Sequence, residues 1–327
     1  MRILQIAGEQ YSIETSKIIN STFKKSYSEV IIPQRLTVYR NEDVAHYDWL
    51  KVWVGNKIAL FLRMIKKLLS SYDILVIHDC TISIRSIPFF EYRLIRLVKD
   101  HNIPVVFMCH SQDRVKYILH QQIHMLAKKD PKLLITYVSV NMQKYLPRGS
   151  IYLPQPIPSI FHLNTNIQPD DPPIIFLPSG GSWAYKYKGK KILLKALKEL
   201  KSKGLKFQFR EHVTRIPYSE MPKCYWSSTI VFDQIYDNCY GKVTAESFLC
   251  GRVALNDAGF PCDENRISPE NLTDKLETFL TDKNLREKVV KKGRGEVVNR
   301  HSAERATELF LETLEMHVEG ALKKPQV

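Results

Sequence analysis

What most constrains this chain is an alternation: short, unbroken apolar runs, each followed by a longer amphipathic segment. Runs such as Ile74-Leu75-Val76-Ile77 and Val105-Val106-Phe107-Met108 lack the polar residue at every second position that a half-solvated strand shows. Strands of that kind are covered on both faces, as in parallel sheets flanked by helices. In the first half the pattern predicts strands at Arg2–Ala7, Val30–Ile32, Ile74–His78, Val105–Cys109 and Leu133–Ser139. Helices are expected at Thr15–Lys25, Asn56–Ser70, Ile87–His101, Arg114–Lys128 and Asn141–Leu146.

The proline-dense Leu153-Pro154-Gln155-Pro156-Ile157-Pro158 and the polar stretch Asn164–Pro173 break both helix and strand, and read as an interdomain linker. A second series follows, with strands expected at Ile174–Leu177, Phe207–Glu211, Ile230–Asp233 and Val253–Asn256. Its helices are expected at Lys190–Lys203, Val243–Cys250, Pro269–Leu280 and Leu285–Asn299. Ser268 and Pro269 supply helix-start chemistry. A last helix, Ala303–Val318, has Ser302 as its cap and Gly320 as its stop. The 327 residues thus give an α/β protein of two Rossmann-like doubly wound domains facing a cleft, with boundaries 1–158 and 159–302. The terminal helix, 303–327, is expected to cross back to the N-terminal domain.

Composition narrows the function. No apolar stretch approaches the ~20 residues of a membrane span, and the N-terminus reaches Glu9-Gln10 too soon for a signal peptide, so a soluble, cytoplasmic protein is expected. The six cysteines (80, 109, 224, 239, 250 and 262) form no C-x-x-C pair, against structural zinc or a disulfide framework. Lys and Arg number 48 against 34 Asp and Glu, a net charge of +14. The excess lies in residues 1–160, with 22 basic against 12 acidic side chains. A polyanionic partner is implied. No nucleic-acid-binding motif accompanies the charge, so nucleic acid is not expected. Asn56–Leu69 is a basic amphipathic segment, readable either as a core-packed helix with a solvated edge or as a contact to an anionic membrane surface.

Two segments carry chemistry. In Phe176–Lys190 a strand leads through Pro178-Ser179-Gly180-Gly181 and lysines into a helix N-terminus, a physically sensible phosphate site. The spacing is neither a P-loop nor a G-x-G-x-x-G turn. In Asp233–Leu255 a strand ends in acids, a Tyr240-Gly241 turn starts a helix, and Glu246 is its one carboxylate. Such a carboxylate can accept two hydrogen bonds from a ribose diol. Equally, it can pair with a core arginine or cap a backbone group.

The segment Asp233–Leu255 resembles the nucleotide-sugar signature of family 4-type retaining glycosyltransferases of the GT-B fold, with Glu246 at the second of its two acids. Pro178–Gly189 resembles the phosphate-contacting loop of that family, and Pro104–Arg114 its histidine-bearing strand end. The first acid is replaced by Asn238, and the usual basic residue near Pro178 is replaced by Gly180-Gly181-Ser182. The resemblance implies a metal-independent hexosyltransferase without a resident cofactor. Its sugar would come from a UDP- or GDP-sugar, and its acceptor would be a glycan or lipid-linked. By the same resemblance, residues 1–158 are the acceptor side and 159–302 the nucleotide-sugar side. Lys188, with Lys186 as understudy, is assigned to the diphosphate and Glu246 to the ribose. Ser179, Tyr240, Gly241 and Thr244 complete the donor set. His110, Asn238 and Gly8 are placed at the reacting sugar, with backbone N–H groups of the Asn238–Gly241 turn holding its hydroxyls. Two alternatives remain open: a GT-B protein that binds nucleotide sugar without turnover, and a nucleotide-sugar epimerase.

Overall fold

The computed structural model describes residues 1–6, 10–33, 50–53, 65, 70–78, 103–110, 118–162, 171–178, 188–212, 217–236 and 238–323. The chain divides into two compact units, Met1–Pro156 with Ala303–Val327, and Ile157–Ser302.

In the first unit, strands β1 (Arg2–Ile6), β2 (Tyr27–Pro33), β3 (Leu50–Trp53), β4 (Ile74–His78), β5 (Val105–Cys109), β6 (Leu133–Tyr137) and β7 (Ile151–Tyr152) form one parallel sheet. Their order is β3-β2-β1-β4-β5-β6-β7. The chain winds outward from β1 to β3, then restarts beside β1 at β4. Ligands of such sheets sit outside the carboxyl ends of the strands at this reversal. Helices α1 (Gln10–Thr22) and α2 (Ile118–Lys129) follow β1 and β5. The buried runs of β4 and β5 match expectation residue for residue, because every side chain in them is inaccessible to water. Edge strands β3 and β7 are additional to the expected set; at four and two residues they carry too little pattern to be read. The expected helices at 56–70 and 87–101 lie outside the described residues, apart from the buried Ile65 and the exposed Ser70.

In the second unit, β8 (Ile174–Leu177), β9 (Gln208–Glu211), β10 (Ile230–Gln234) and β11 (Val253–Asn256) form a parallel sheet of order β11-β10-β8-β9, whose reversal lies between β8 and β10. Helices α3 (Lys190–Ser202), α4 (Met221–Ser227), α5 (Lys242–Leu249), α6 (Leu272–Thr281) and α7 (Lys283–His301) complete it. Helix α5 ends as Gly251 predicts. The glycine takes a left-handed φ of 74°, its N–H bonds the Phe248 carbonyl, and the Arg252 N–H bonds that of Ser247. Helix α6 begins three residues after Pro269. Ser268 and Asn271 bond each other across the approach, so the chain turns once before the helix starts. Helix α7 is capped by the Asp282 carboxylate, which accepts the Leu285 N–H at 2.8 Å.

The last helix, α8 (Ala303–Lys323), belongs to the first unit, as the sequence led one to expect. Phe310, Leu311 and Leu314 stand at helical spacing and pack among Ile3, Ile19, Ile74, Val76 and Val106. His317 donates a ring N–H to the Lys132 carbonyl at 2.9 Å. The helix runs through Gly320 because that glycine keeps an ordinary helical φ and its Cβ direction is open. No helix among the described residues is long and apolar enough to cross a membrane.

Phe310 is fully buried, so Phe310→Ala is expected to destabilise the first unit by about 3–5 kcal/mol. Native-state hydrogen exchange should show the loss in β1, β4 and β5 and unchanged protection in β8 and β10. Unchanged β1 protection would contradict the placement of α8.

Candidate functional site

The second sheet's reversal is built around one carboxylate. Asp233, completely buried in β10, accepts Lys188 Nζ on Oδ1 at 3.0 Å. Its Oδ2 accepts the Gly241 N–H at 2.6 Å and the Thr244 hydroxyl at 2.8 Å. Lys188 comes from the chain after β8, whereas Gly241 and Thr244 belong to the start of α5, so one side chain ties together three pieces of chain that meet at the reversal. Space at Gly241 is tight, since a Cβ there would lie 3.1 Å from both carboxylate oxygens and push on the Asp233 side chain. Gly189 holds a left-handed φ of 80° and would drive a Cβ into the Ile235 side chain. Lys190, the first residue of α3, pairs with Glu211.

Helix α5 carries Glu246 into an aromatic cage. The Tyr218 hydroxyl donates to Oε1 at 2.6 Å and the Tyr225 hydroxyl to Oε2 at 2.7 Å. Lys242, one turn earlier, stands 3.6 Å from Oε1 and over the Tyr218 ring at 4.1 Å. Phe161 and Phe176 pack against these tyrosines. Burial, then the adjacent Glu246 charge, pushes the Tyr225 phenol far above its ordinary value, so it stays a neutral donor. Glu246 is 3% exposed. Its partners are neither a core arginine nor a backbone group, the two structural roles the sequence left open.

The turn between β10 and α5 is also held by carboxylates. Asn238 takes a left-handed φ of 48°, which asparagine tolerates better than most residues. Its N–H and that of Cys239 both donate to Asp257, at 2.7 and 3.2 Å. Gln234 Nε2 donates to the Cys239 carbonyl. The sequence reading assigned N–H groups of this turn to sugar hydroxyls; those of residues 238, 239 and 241 are held by Asp257 and Asp233 of the chain itself. Tyr240 stacks on Phe260 with centroids 3.9 Å apart, and its hydroxyl meets His301 Nε2 at 3.2 Å.

Lys188, Gly241 and Thr244 thus meet on Asp233, whereas Asn238, Tyr240 and Glu246, on the same turn and helix, each have other partners. His110 lies in the first unit, just beyond β5, with Nε2 2.8 Å from Nδ1 of His78. Gly8, Ser179 and Lys186 lie outside the described residues. The residues that sequence reasoning missed are Asp233 as hub, Asp257, Tyr218 and Tyr225. The one available signal was the seven-residue spacing of the two tyrosines, one on an unforeseen short helix and the other on the turn that leads into it. Among the described residues no cluster of three or more His, Cys, Asp or Glu is placed to hold a metal ion.

Residues 189–312 match the family model described as glycosyl transferase-like. The matched stretch is 124 of the chain's 327 residues. It runs from the start of α3 into α8 and includes the Glu246 cage. No curated protein matches the sequence. Among solved structures, the chain is similar to the N-terminal domain of Candida albicans trehalose-6-phosphate phosphatase, with TM-score 0.63 and 10% identity over 97% of each chain. It is similar to the apo structure of OtsA, with TM-score 0.59 and 9% identity over 96% of this chain and 98% of that one. It is also similar to Neisseria meningitidis UDP-GlcNAc 2-epimerase bound to UDP-GlcNAc, with TM-score 0.55 and 12% identity over 97% and 100%. These likenesses show the fold: two parallel-sheet Rossmann-type domains of the GT-B class.

In the second unit, removing one member of the buried Lys188–Asp233 pair leaves the other uncompensated. Asp233→Asn is expected to cost about 3–5 kcal/mol, and adding Lys188→Met to recover part of that loss. Urea denaturation of the single and double variants reads the coupling; strictly additive losses would refute it.

Proposed function

We propose that the protein is a retaining, metal-independent glycosyltransferase that moves a sugar from a nucleoside-diphosphate donor to a glycan or lipid-linked acceptor. The observation that carries this reading is the glycosyl transferase-like match over 189–312, the stretch holding Glu246 and its fixed donors.

Each role follows from the chemistry on hand. A carboxylate has about four lone-pair sites, and Tyr218 and Tyr225 use two at Glu246. Lys242 stands 3.6 Å from Oε1 as well, and the ribose hydroxyls would take the remaining lone-pair sites of this buried carboxylate. Departure of a nucleoside diphosphate needs positive charge and N–H donors where its charge develops. Lys188 supplies the ammonium, with Asp233 keeping it in place before the anion arrives. The N–H groups of Asn238 and Cys239 form a concave pair that already accommodates a carboxylate, Asp257, and the diphosphate competes with Asp257 for them. Asn238 offers the sugar a neutral amide. The basic excess of residues 1–160 suits an anionic membrane surface or a phosphorylated lipid acceptor.

A second reading has its own support, because the UDP-GlcNAc 2-epimerase of N. meningitidis shares the fold. Incubation with UDP-GlcNAc alone separates the two. An epimerase yields the 2-epimer without any acceptor, whereas a transferase leaves the sugar configuration unchanged at C2.

The assay of choice follows nucleotide release and product anomer by NMR across a panel of nucleotide sugars and acceptors. Transfer with retention is expected for the wild type, and Glu246→Gln, which keeps volume but removes the charge, should lower it about 100-fold. Equal turnover by Glu246→Gln would overturn the ribose assignment.

A further inference from the structure

The short helix α4 carries Tyr225 to Glu246, and its C-terminal end is held from outside. The last carbonyls of a helix have no partner within it. One of them, that of Trp226, takes two N–H bonds from a single side chain: Arg252 donates from Nε at 3.1 Å and again from Nη2. Nη1 of the same guanidinium donates to the Gly251 carbonyl at 2.9 Å, just past the end of α5. Trp226 in turn donates its indole N–H to the His162 carbonyl at 3.2 Å. Arg252 is 8% exposed, and burial lowers its basicity below the ordinary range. Taking a guanidinium out of water is costly, and its hydrogen bonds to carbonyls offset that cost. What the placement secures is the position of α4. The contacts close a circuit: Glu246 leads along the chain to Arg252, Arg252 bonds Trp226, and the neighbouring Tyr225 returns its hydroxyl to Glu246 Oε2 at 2.7 Å. Tyr225, itself fully buried, is thus fixed through its backbone by Arg252 and at its hydroxyl by Glu246.

We propose that Arg252 is a positioning residue: by fixing α4 it aims the Tyr225 hydroxyl at Glu246, and so sets how tightly that carboxylate takes the ribose of the donor. A site keeps its geometry through such supporting contacts. Lysine is no substitute here. The guanidinium meets one carbonyl with two N–H groups of its planar fork and a second carbonyl with a third, whereas an ammonium is a point donor on a flexible stem. The diphosphate half of the donor is assigned to a different set of contacts, Lys188 on Asp233, so a change at Arg252 separates the two halves of the ligand. The ribose clause rests on the reading above that Glu246 binds that sugar; the link from Arg252 to Tyr225 does not.

The test uses the full-length protein. With tyrosine labelled with 13C at Cζ and Tyr225 assigned by Tyr225→Phe, the Tyr225 signal of the free protein should move in Arg252→Lys. An unmoved signal overturns the link. Calorimetry with UDP, GDP and ADP, their nucleosides and inorganic pyrophosphate addresses the ribose. Arg252→Lys should weaken the nucleotide that the wild type binds, and its nucleoside, about tenfold, while pyrophosphate affinity changes by less than about twofold. Arg252→Gln, which keeps a donor without the charge, is the second variant and should show the same split. In a Tyr225→Phe background Arg252→Lys should add little, because both substitutions act on one hydrogen bond. Additive losses, or equal weakening of pyrophosphate, give Arg252 a role in stability alone and overturn the proposal. Glu246→Gln is the control for the underlying reading. If it weakens the nucleoside and the Arg252 variants do not, the positioning role falls while the ribose reading stands. If neither weakens it although the Tyr225 signal moves, the fault is in the ribose reading rather than in the link.

Discussion

A single buried carboxylate organises the second unit. Asp233 sits where the winding of the sheet reverses, and it gathers an ammonium, a backbone N–H and a hydroxyl that would each be costly to leave unsatisfied in that interior. Because Gly241 and Thr244 open α5, the direction of that helix is tied to β10 through Asp233. Glu246, four residues into α5, inherits the position. The same carboxylate holds the lysine that follows β8. Structure and site are therefore one construction: what neutralises the charge of Asp233 also arranges the residues proposed to hold a nucleotide.

A pattern of carboxylates already engaged by the chain runs through this region. Asp257 occupies the paired N–H groups of Asn238 and Cys239, Glu211 pairs with Lys190, and the Glu246 oxygens each receive a phenol. Anion-binding groups close to a helix start repel one another unless compensated. On the proposed reading, an incoming diphosphate would exchange partners with Asp257 and Asp233 rather than meet bare cations. Selectivity in such an exchange comes from geometry, because a compact carboxylate and an extended diphosphate satisfy the same donors differently.

The fold was legible where one physical signal dominated. Apolar runs buried on both faces marked β4, β5, β8 and β11 to the residue, and Gly251 marked the end of α5 because a left-handed position there suits glycine. Local chemistry misled where tertiary contacts decided. Ser268 and Pro269 look like a helix start, but Ser268 is engaged with Asn271; Gly320 looks like a stop, but α8 continues through it. Within the candidate site, Glu246 and Lys188 stood out by type and spacing. Tyr218 and Tyr225 did not, since only folding brings a short helix preceding β10 against α5. Asp233 was visible as a strand-end acid, yet its role as hub depends on three partners, the farthest 45 residues away in the chain.

The central claim is that the second unit grips a nucleoside diphosphate through Glu246 and Lys188. Titration calorimetry of the full-length protein with UDP, GDP and ADP addresses it without any acceptor. The account predicts saturable one-to-one binding of at least one of the three, weakened at least about tenfold, or about 1.4 kcal/mol, in Glu246→Gln. Absence of binding by all three nucleotides, or equal affinity in the variant, would contradict it.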